Sequence, residues 1–302
     1  MDLSLEPIDV KHKDFMDNIR CINGVSTNTG SFQSGYLWRD VLGVSIHTGA
    51  GYYAIHESVN PENVWAFPIG DAFAKKQFIE RILSKYSRAV LLKVKTEDKE
   101  FLEKEFPGVF SFSYCQDTCE YVYDSRDIMG LHGKKFRKFR EALNKFSAHH
   151  SLEVQEITED TLPVVRAVFQ KWACARERTG MDNTIGNETD GIVLTSFSKI
   201  GLSGIILKVD GEAASVAIGY PLSEDTCDIA IFKHTGVVEN LCRITVHEFI
   251  NRYQESFRYF NFEEDGGIVG LRTIKKRMCP CRLNPIWKAV AGNTNREKGG
   301  LA

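Results

Sequence analysis

The stretch Leu202–Phe232, LSGIILKVDGEAASVAIGYPLSEDTCDIAIF, decides the fold class of this chain. It divides into three runs rich in β-branched and apolar residues, which predict the strands Leu202–Val209, Ala213–Tyr220 and Thr226–Phe232. Asp210-Gly211 separates the first two runs, and this dipeptide favours a tight hairpin turn. The stretch therefore predicts a β-sheet built around a hairpin. Helical patterns on both sides of it indicate an α/β protein with mixed sheets.

Further elements of the second half follow from the same reasoning. Ser151–Thr158 alternates as a strand does, and Thr161-Leu-Pro is typical of a helix start. The later predictions are a helix at Asn187–Lys199, a helix at Leu241–Glu255, a strand at Phe257–Phe262, a helix at Ile268–Met278 and a strand at Asn284–Val290.

The first half repeats this order of elements. Predicted strands are Tyr36–Val41, Val44–Ile46 with Tyr52–Ile55, Val64–Phe67, Ala89–Lys95, Phe110–Tyr114 and Glu120–Tyr123, and predicted helices are Ala72–Tyr86 and Thr96–Phe106. Three strands, a helix, a strand, a helix and a strand thus occur twice, and this order resembles the GNAT acyltransferase fold. We predict two tandem GNAT-like domains, residues 1–125 and 151–302, joined by a basic linking helix within residues 126–150.

Composition narrows the class of protein. The 302 residues include 38 Lys and Arg against 40 Asp and Glu, so the formal net charge is only −2. Global charge therefore does not attract this chain to nucleic acid or to a membrane, and any anion site must be local. Since no secretory signal and no run of about 18 apolar residues is present, we expect a cytoplasmic protein without integral membrane contact.

The eight cysteines raise the question of a metal site. Cys115, Cys119, Cys279 and Cys281 form two near-pairs that could offer four thiolates to zinc. Their spacings, CxxxC and CPC, differ from the usual CxxC pattern, so the sequence favours free, mostly buried thiols and no bound metal.

A basic amphipathic helix is predicted over Gly133–His150, GKKFRKFREALNKFSAHH. Phe136, Phe139, Leu143 and Phe146 share one face, and the other sides carry the cations Lys134, Arg137, Lys138 and Lys145, with Lys135 and Arg140 at the flanks. So many cations in an otherwise neutral chain predict a phosphate-rich partner, such as a tRNA end, a cofactor pyrophosphate or a lipid head group. The alternative is a solvated helix face that pairs with acids elsewhere.

A second cluster lies in Asn261–Gly267, NFEEDGG, between a predicted strand and a predicted helix. Its glycines allow the positive φ of a tight turn, and the helix start that follows offers backbone donors to an anion. One carboxylate of Glu263, Glu264 or Asp265 could act as a general base, and Arg272 and Lys275 could hold phosphate. The alternative is a helix start stabilised by salt bridges, and these residues alone leave both open.

Together the two clusters resemble the motifs of the phosphatidylglycerol lysyltransferase C-terminal-domain family. The residues that match those motifs are Gly133, Lys134, Lys135, Lys138, Arg140, Asn261, Glu263, Asp265, Gly267, Gly270, Leu271, Arg272, Lys275 and Pro280. Phe139, Glu141, Gly266 and Met278 depart from the family pattern. The resemblance implies a tandem GNAT fold related to Fem-type aminoacyltransferases. It also implies transfer of an aminoacyl group from aminoacyl-tRNA by a soluble member that lacks the membrane half.

The sequence thus predicts a transferase that moves an acyl or aminoacyl group onto an amine or a hydroxyl. Aminoacyl-tRNA or acyl-CoA would be a co-substrate, with no permanently bound cofactor. The segment His234–Asn240 has a single glycine, which argues against the Gly-rich pyrophosphate loop of acetyl-CoA enzymes. The rival prediction is a non-catalytic GNAT scaffold that binds a phosphorylated ligand or RNA. We expect one working site, facing the cleft, with the first half as its wall.

Overall fold

A computed structural model describes residues 3–178, 184–236 and 238–292, except for the side chains of residues 184–188. The first half begins with β1 (Glu6–Pro7), α1 (Lys13–Ile22), α2 (Phe32–Leu37), α3 (Arg39–Leu42), β2 (Val44–Gly49), β3 (Tyr52–Glu57), β4 (Val64–Ala66) and β5 (Ile69–Gly70). It continues with α4 (Ala72–Lys85), β6 (Val90–Lys95), α5 (Thr96–Glu105), β7 (Phe110–Tyr114), β8 (Glu120–Asp124), α6 (Ser125–Gly130) and α7 (Arg137–His149).

The second half repeats the strand and helix order of the first. It consists of β9 (Leu152–Glu156), α8 (Leu162–Arg178), α9 (Thr184–Ser196), β10 (Ser203–Val209), β11 (Glu212–Pro221), β12 (Thr226–His234), α10 (Leu241–Tyr253), β13 (Tyr259–Asn261), α11 (Val269–Arg277), β14 (Arg282–Asn284) and β15 (Ile286–Ala291). The predicted α/β class with mixed sheets is confirmed, and the two GNAT-like units stay a prediction.

The prediction of a strand at Tyr36–Val41 is wrong, because this segment lies in the short helices α2 and α3. Ser31 caps α2 by accepting a hydrogen bond from the backbone N–H of Ser34 at 3.2 Å. Phe32 and Tyr36, one helical turn apart, are both buried in the core. The aromatic residues that suggest a strand here therefore form the packed face of a helix.

Strands cross between the two halves. A seven-stranded sheet has the order β14-β8-β13-β12-β11-β10-β9, so β8 of the first half lies between two strands of the second. A four-stranded sheet has the order β4-β6-β15-β7. Its other three strands come from the first half of the chain, and β15, near the end of the described residues, lies between β6 and β7. The proposed division into residues 1–125, 126–150 and 151–302 stays a prediction, and each half of the chain contributes one strand to a sheet of the other half.

Three neighbouring strands of the large sheet bring polar residues to one end. The parallel pair β12–β13 places Asp228 beside Asn261, and the antiparallel pair β13–β8 places Asn261 beside Val122, two residues after Glu120. β13 ends at Asn261, whereas β12 continues to His234. The chain leaving β13 can therefore turn away from the sheet, and this turn carries Glu263.

Candidate active site

A pocket of about 210 Å³ lies where the first half faces the turn after β13. Its apolar wall comes from the first half and consists of Trp38, Leu42, Val44 and Ile55. Its charged lining consists of Glu57 and Lys93 from the first half and Glu263 and Glu264 from the second. The pocket therefore combines an apolar side with three carboxylates and one ammonium group.

Glu263 is held in a defined position in this pocket. Its backbone has φ 50°, its N–H donates to Asn261 Oδ1 at 2.8 Å, and its carbonyl accepts from the N–H of Tyr121 at 3.1 Å. Its carboxylate accepts a hydrogen bond from Asn28 Nδ2 at 2.6 Å. Burial, reinforced by the nearby Asp228 carboxylate, raises the pKa of Glu263 well above its usual value. A carboxylate with a raised pKa is a better proton acceptor than an ordinary surface glutamate.

Asn28 connects the half-buried Glu263 with a fully buried acid, Asp228. Its Nδ2 lies 2.7 Å from Asp228 Oδ2 and 3.1 Å from the Tyr220 hydroxyl. Asp228 is fully buried, its Oδ1 has no hydrogen-bond partner within the described part of the chain, and burial raises its pKa to about 7. The buried guanidinium of Arg20 orders the loop of Asn28 by donating to three of its carbonyls, including that of Thr29 at 2.9 Å.

Glu120 is a further buried acid of this cluster. Its Oε2 accepts from Asn261 Nδ2 at 2.7 Å and from Asn284 Nδ2 at 3.0 Å. Its Oε1 accepts from the backbone N–H of Thr29 at 3.2 Å, and burial raises the pKa of Glu120 as well. Since Asn261 also accepts from the Glu263 N–H, this amide links Glu120 to the position of Glu263.

Asp265 is the acid that holds the glycine turn. Its buried carboxylate accepts from Arg272 Nε at 2.9 Å and Nη2 at 2.7 Å, from the Tyr121 hydroxyl at 2.6 Å and from the Gly267 N–H at 3.0 Å. Hydrogen bonds from Arg272 lower the pKa of Asp265 to about 2, so this group stays charged and is a weak base. Arg272 also contacts Asp117 at 2.5 Å.

The two glycines of the turn have the positive φ that the sequence predicts, 56° at Gly266 and 77° at Gly267. A Cβ at Gly267 would lie 3.0 Å from the carboxylate of Asp117. The turn therefore depends on glycine both for its backbone conformation and for the close approach of the Asp117 side chain.

Lys275 lies beneath this turn. It is 4% exposed, its ammonium group donates to the Glu264 carbonyl, and it lies 4.9 Å from the centre of the Phe262 ring. Burial lowers the pKa of Lys275, and the nearby Glu263 carboxylate opposes this effect. The predicted phosphate contact of Lys275 stays a prediction. In the structure, Lys275 is buried and its hydrogen bond to the Glu264 carbonyl stabilises the turn.

The basic helix contributes no side chain to the lining of the pocket within the described residues. Lys134 and Lys138 are exposed, Lys135 pairs with Asp127 at 3.0 Å, and Arg140 donates to the carbonyls of Leu131 and Gly133. The apolar face is buried as predicted at Phe136, Phe139 and Phe146. Its cations therefore remain available, at Lys134 and Lys138 above all, for a partner that extends beyond the pocket.

The cysteines do not lie where the sequence places them. Only Cys119 and Cys227 are buried, whereas Cys21, Cys174 and Cys281 are exposed, so the prediction of mostly buried thiols is wrong. The positions of two of the exposed cysteines explain their exposure. Cys21 lies at the solvent-facing end of α1, and Cys281 lies in the short connection between α11 and β14. Within residues 3–178, 184–236 and 238–292, no group of three or more His, Cys, Asp or Glu side chains could hold a metal ion.

Sequence reasoning missed Asn28, Glu57, Lys93 and Glu120 as parts of the site. Asp228 stands out only as a charged residue in an otherwise apolar strand. That is the one available signal, because a buried strand rarely holds an acid without a partner or a function. Asn28 and Lys93 carry no comparable signal, since asparagine in a Ser/Thr/Gly loop and lysine in a strand are both ordinary.

Comparisons with known proteins place this geometry in context. The profile of the family described as "Phosphatidylglycerol lysyltransferase, C-terminal" matches residues 25–289. A conserved protein of unknown function from Bacteroides thetaiotaomicron has 22% identity and a TM-score of 0.88, covering 96% of this chain and 100% of its own. No curated protein sequence gives a significant match.

Two further solved structures have the same fold at lower similarity. The C-terminal domain of a putative lysylphosphatidylglycerol synthetase from Agrobacterium fabrum has 12% identity and a TM-score of 0.67, covering 93% of this chain and 92% of its own. L-PGS from Bacillus licheniformis has 14% identity and a TM-score of 0.67, covering 97% and 95%. None of the helices in the described residues has the length and apolar character needed to cross a membrane.

Proposed function

The chain belongs to the phosphatidylglycerol lysyltransferase C-terminal family, and we propose that it transfers an aminoacyl group onto an amine or hydroxyl acceptor. The observation that carries this proposal is the pocket at Glu263, where a glutamate with a raised pKa meets the Asn28 amide at 2.6 Å. Glu263 is the proposed general base, and Asp265, with a pKa of about 2, holds the turn on which Glu263 lies.

The reaction moves one proton twice, first to Glu263 and then to the leaving oxygen, and it needs no metal. The acceptor nitrogen or oxygen attacks the carbonyl carbon of the aminoacyl ester, and its proton passes to Glu263. A new bond joins the acceptor to the carbonyl carbon, the ester C–O bond breaks, and the leaving oxygen takes the proton back. Asn28 donates to one carboxylate oxygen of Glu263, so the other is left for the acceptor. Positioning of both reactants in the pocket supplies the remaining rate enhancement.

The charge and size of the pocket favour an aminoacyl donor over acetyl-CoA. Three carboxylates line the pocket against the single ammonium of Lys93 within the described residues, and this excess suits a group that carries an amine, which an acetyl group lacks. A volume of about 210 Å³ lies below the roughly 300–1,000 Å³ of typical ligand pockets. We therefore propose that only the aminoacyl group enters the pocket and that the rest of an aminoacyl-tRNA lies outside.

The exposed cations Lys134 and Lys138 are the proposed contacts for the phosphates of that donor. Each phosphate contact releases counterions, so tRNA affinity should fall steeply with salt concentration. K134Q/K138Q should reduce the slope of log affinity against log salt by about 2, measured by filter binding. The matched control is K208Q on β10, a lysine already paired with Glu153 at 2.8 Å. An unchanged slope in the double variant would place the phosphate contacts elsewhere.

The transfer itself is tested with tRNA charged with a ¹⁴C-labelled amino acid, using a mixture of all twenty charged species and a panel of amine and hydroxyl acceptors. The wild-type protein should release label from tRNA and form a labelled product, and E263Q should lower this rate by roughly 10²–10⁴-fold. E212Q, at an exposed glutamate on β11 that does not line the pocket, is the control and should keep most of the rate. If the wild-type protein consumes no donor, the proposed transfer is wrong. If E263Q is as active as E212Q, Glu263 is not the base.

A further inference from the structure

We propose that Lys93 binds the carbonyl or carboxylate oxygen of the group in the pocket, which makes the pocket specific for an amino-acid unit and not for an amine alone. This inference rests on the proposed function, because it takes the pocket of Glu263 as the place of the aminoacyl group. It adds a specificity-determining residue from the first half, a part of the chain otherwise expected to form only a wall.

The backbone directs Lys93 into the pocket. β6 and β15 pair at Leu91–Ala289 and again at Val94–Trp287, so two residues of β6 face one residue of β15. This is a β-bulge, and bulges next to active sites commonly redirect a side chain. Without the bulge, the alternation of the strand would give Lys93 a different direction. With it, Lys93 joins the lining of the pocket.

The conformation of Lys93 is also strained. Its φ is 57°, in the left-handed region, where a non-glycine residue costs about 1–2 kcal/mol. Glu263, which lines the same pocket, has φ 50°. Strained residues persist where the surrounding structure holds them, and they concentrate at functional sites. Two such residues, one from each half, line the same pocket with opposite charges.

The charges around Lys93 leave donors for a ligand. Its ammonium group contacts Glu57 Oε1 at 3.3 Å, which is its hydrogen-bond partner in the part of the chain that the structure describes. An ammonium group has three N–H donors, so two are left for the pocket. Burial alone would lower the pKa of Lys93. The carboxylates of Glu57 and then Glu264 outweigh this effect and raise the pKa above its usual value, so the ammonium group is charged at neutral pH.

The pocket therefore combines groups of opposite charge with apolar surface. An amine is attracted to Glu263 and Glu264, and a carbonyl or carboxylate oxygen is attracted to Lys93. Trp38 and Leu42 add apolar surface to the same lining. Amine, carbonyl oxygen and carbon framework are the three parts of an amino-acid unit. A simple amine would use only the carboxylates, and a simple acyl group only Lys93.

The test compares ligands that differ only at the carboxyl end. L-lysine, L-lysinamide and 1,5-diaminopentane form one series, and L-alanine, L-alaninamide and ethylamine form another. Binding to the full chain is measured by isothermal titration calorimetry for wild type, K93M and K93G. K93G removes the ammonium group and also relieves the backbone strain, so it keeps the test valid if K93M fails to fold. K95M is the control, because Lys95 lies on the same strand but pairs with Glu97 at 2.8 Å outside the pocket.

We expect both Lys93 variants to bind the amino acids at least tenfold more weakly while the decarboxylated amines change less than twofold. Equal losses for all ligands, no loss for any, or no binding of any of the six probes by the wild-type protein would overturn the inference. Transfer from charged tRNA is scored separately. A wild type that transfers label, together with Lys93 variants that bind all six probes as the wild type does, refutes only this inference. A wild type that transfers no label, together with Lys93 variants that lose only amino-acid binding, refutes only the proposed reaction.

Discussion

Replacement of Arg272 by methionine tests how the glycine turn is held. The side chain of Asp265 is fully buried and that of Arg272 is 23% exposed, so the pair is largely shielded from water. The pKa of Asp265 is lowered from 3.8 to about 2. A difference of about 1.8 units, at 1.36 kcal/mol per unit, corresponds to about 2 kcal/mol of stability at neutral pH.

R272M keeps most of the aliphatic stem but leaves the Asp265 carboxylate with only Tyr121 and the Gly267 N–H as donors among the described residues. We therefore expect the free energy of unfolding at pH 7 to fall by about 2–3 kcal/mol, measured by urea titration. K276M is the control, because Lys276 is exposed on the same helix, and its loss should change stability by less than about 0.5 kcal/mol.

The pH dependence gives a second, independent readout. A carboxylate whose folded pKa is lowered stabilises the fold above its unfolded pKa, and this stability is lost as pH falls through the folded value. The wild-type protein should therefore lose this contribution between about pH 4 and pH 2. R272M lacks most of it, so the difference between the two proteins should shrink on acidification.

The sequence also allows Arg272 a different role, as a phosphate ligand. In that case R272M would weaken tRNA binding while leaving stability close to that of K276M. An unfolding free energy within about 0.5 kcal/mol of wild type at pH 7, with an unchanged acid profile, would refute the structural role of Arg272. A D265N/R272M double variant should be less destabilised than the sum of the single changes, because the two side chains form one pair.

Four further predictions concern other parts of the structure. The pKa of Asp228 is raised to about 7, so the wild-type protein should lose stability as pH rises from about 4 to 7, and D228N should lose less. Urea titrations at pH 5 and pH 8 would measure both losses, and equal losses would contradict the burial argument. N28D places a further carboxylate beside Glu263 and Asp228, so it should lower the melting temperature more at pH 8 than at pH 5, whereas N251D on the exposed side of α10 should not. K93G should be more stable than K93A by about 1 kcal/mol, because φ at Lys93 is 57° and glycine adopts this conformation more easily. Lys95 is the control: its φ is −78°, so K95A should be more stable than K95G. A fragment of residues 1–150 lacks β15, the strand between β6 and β7, and should show no cooperative unfolding by circular dichroism, so a cooperative transition would contradict the strand exchange.

Local patterns predict much of this molecule. The hairpin at Asp210-Gly211, the glycine turn and the buried face of the basic helix all depend on residues close together in sequence, and the structure contains each of them. The acid–base pairing across the turn also follows from spacing, since Asp265 and Arg272 are seven residues apart. What spacing cannot assign is the role of each acid, because Glu263 and Asp265 differ only in their surroundings.

Those surroundings come from distant parts of the chain. Asn28 contacts Glu263 across 235 residues of sequence, and Glu120 contacts Asn261 across 141. The contact of Glu120 depends on β8 lying between β13 and β14, a strand exchange that no periodicity encodes. The bulge that directs Lys93 into the pocket likewise needs β15 as its partner.

The sequence by itself determined the α/β class, the repeated order of elements and the two charged clusters, since period, turn chemistry and charge are properties of short segments. Only the tertiary structure decided that the acidic turn faces the first half, that the basic helix lies outside the pocket, and that Glu263 and Asp265 have pKa values shifted in opposite directions. The physical reason is that burial and electrostatic environment are set by which strands pair and which loops meet, and these are long-range properties of the folded chain.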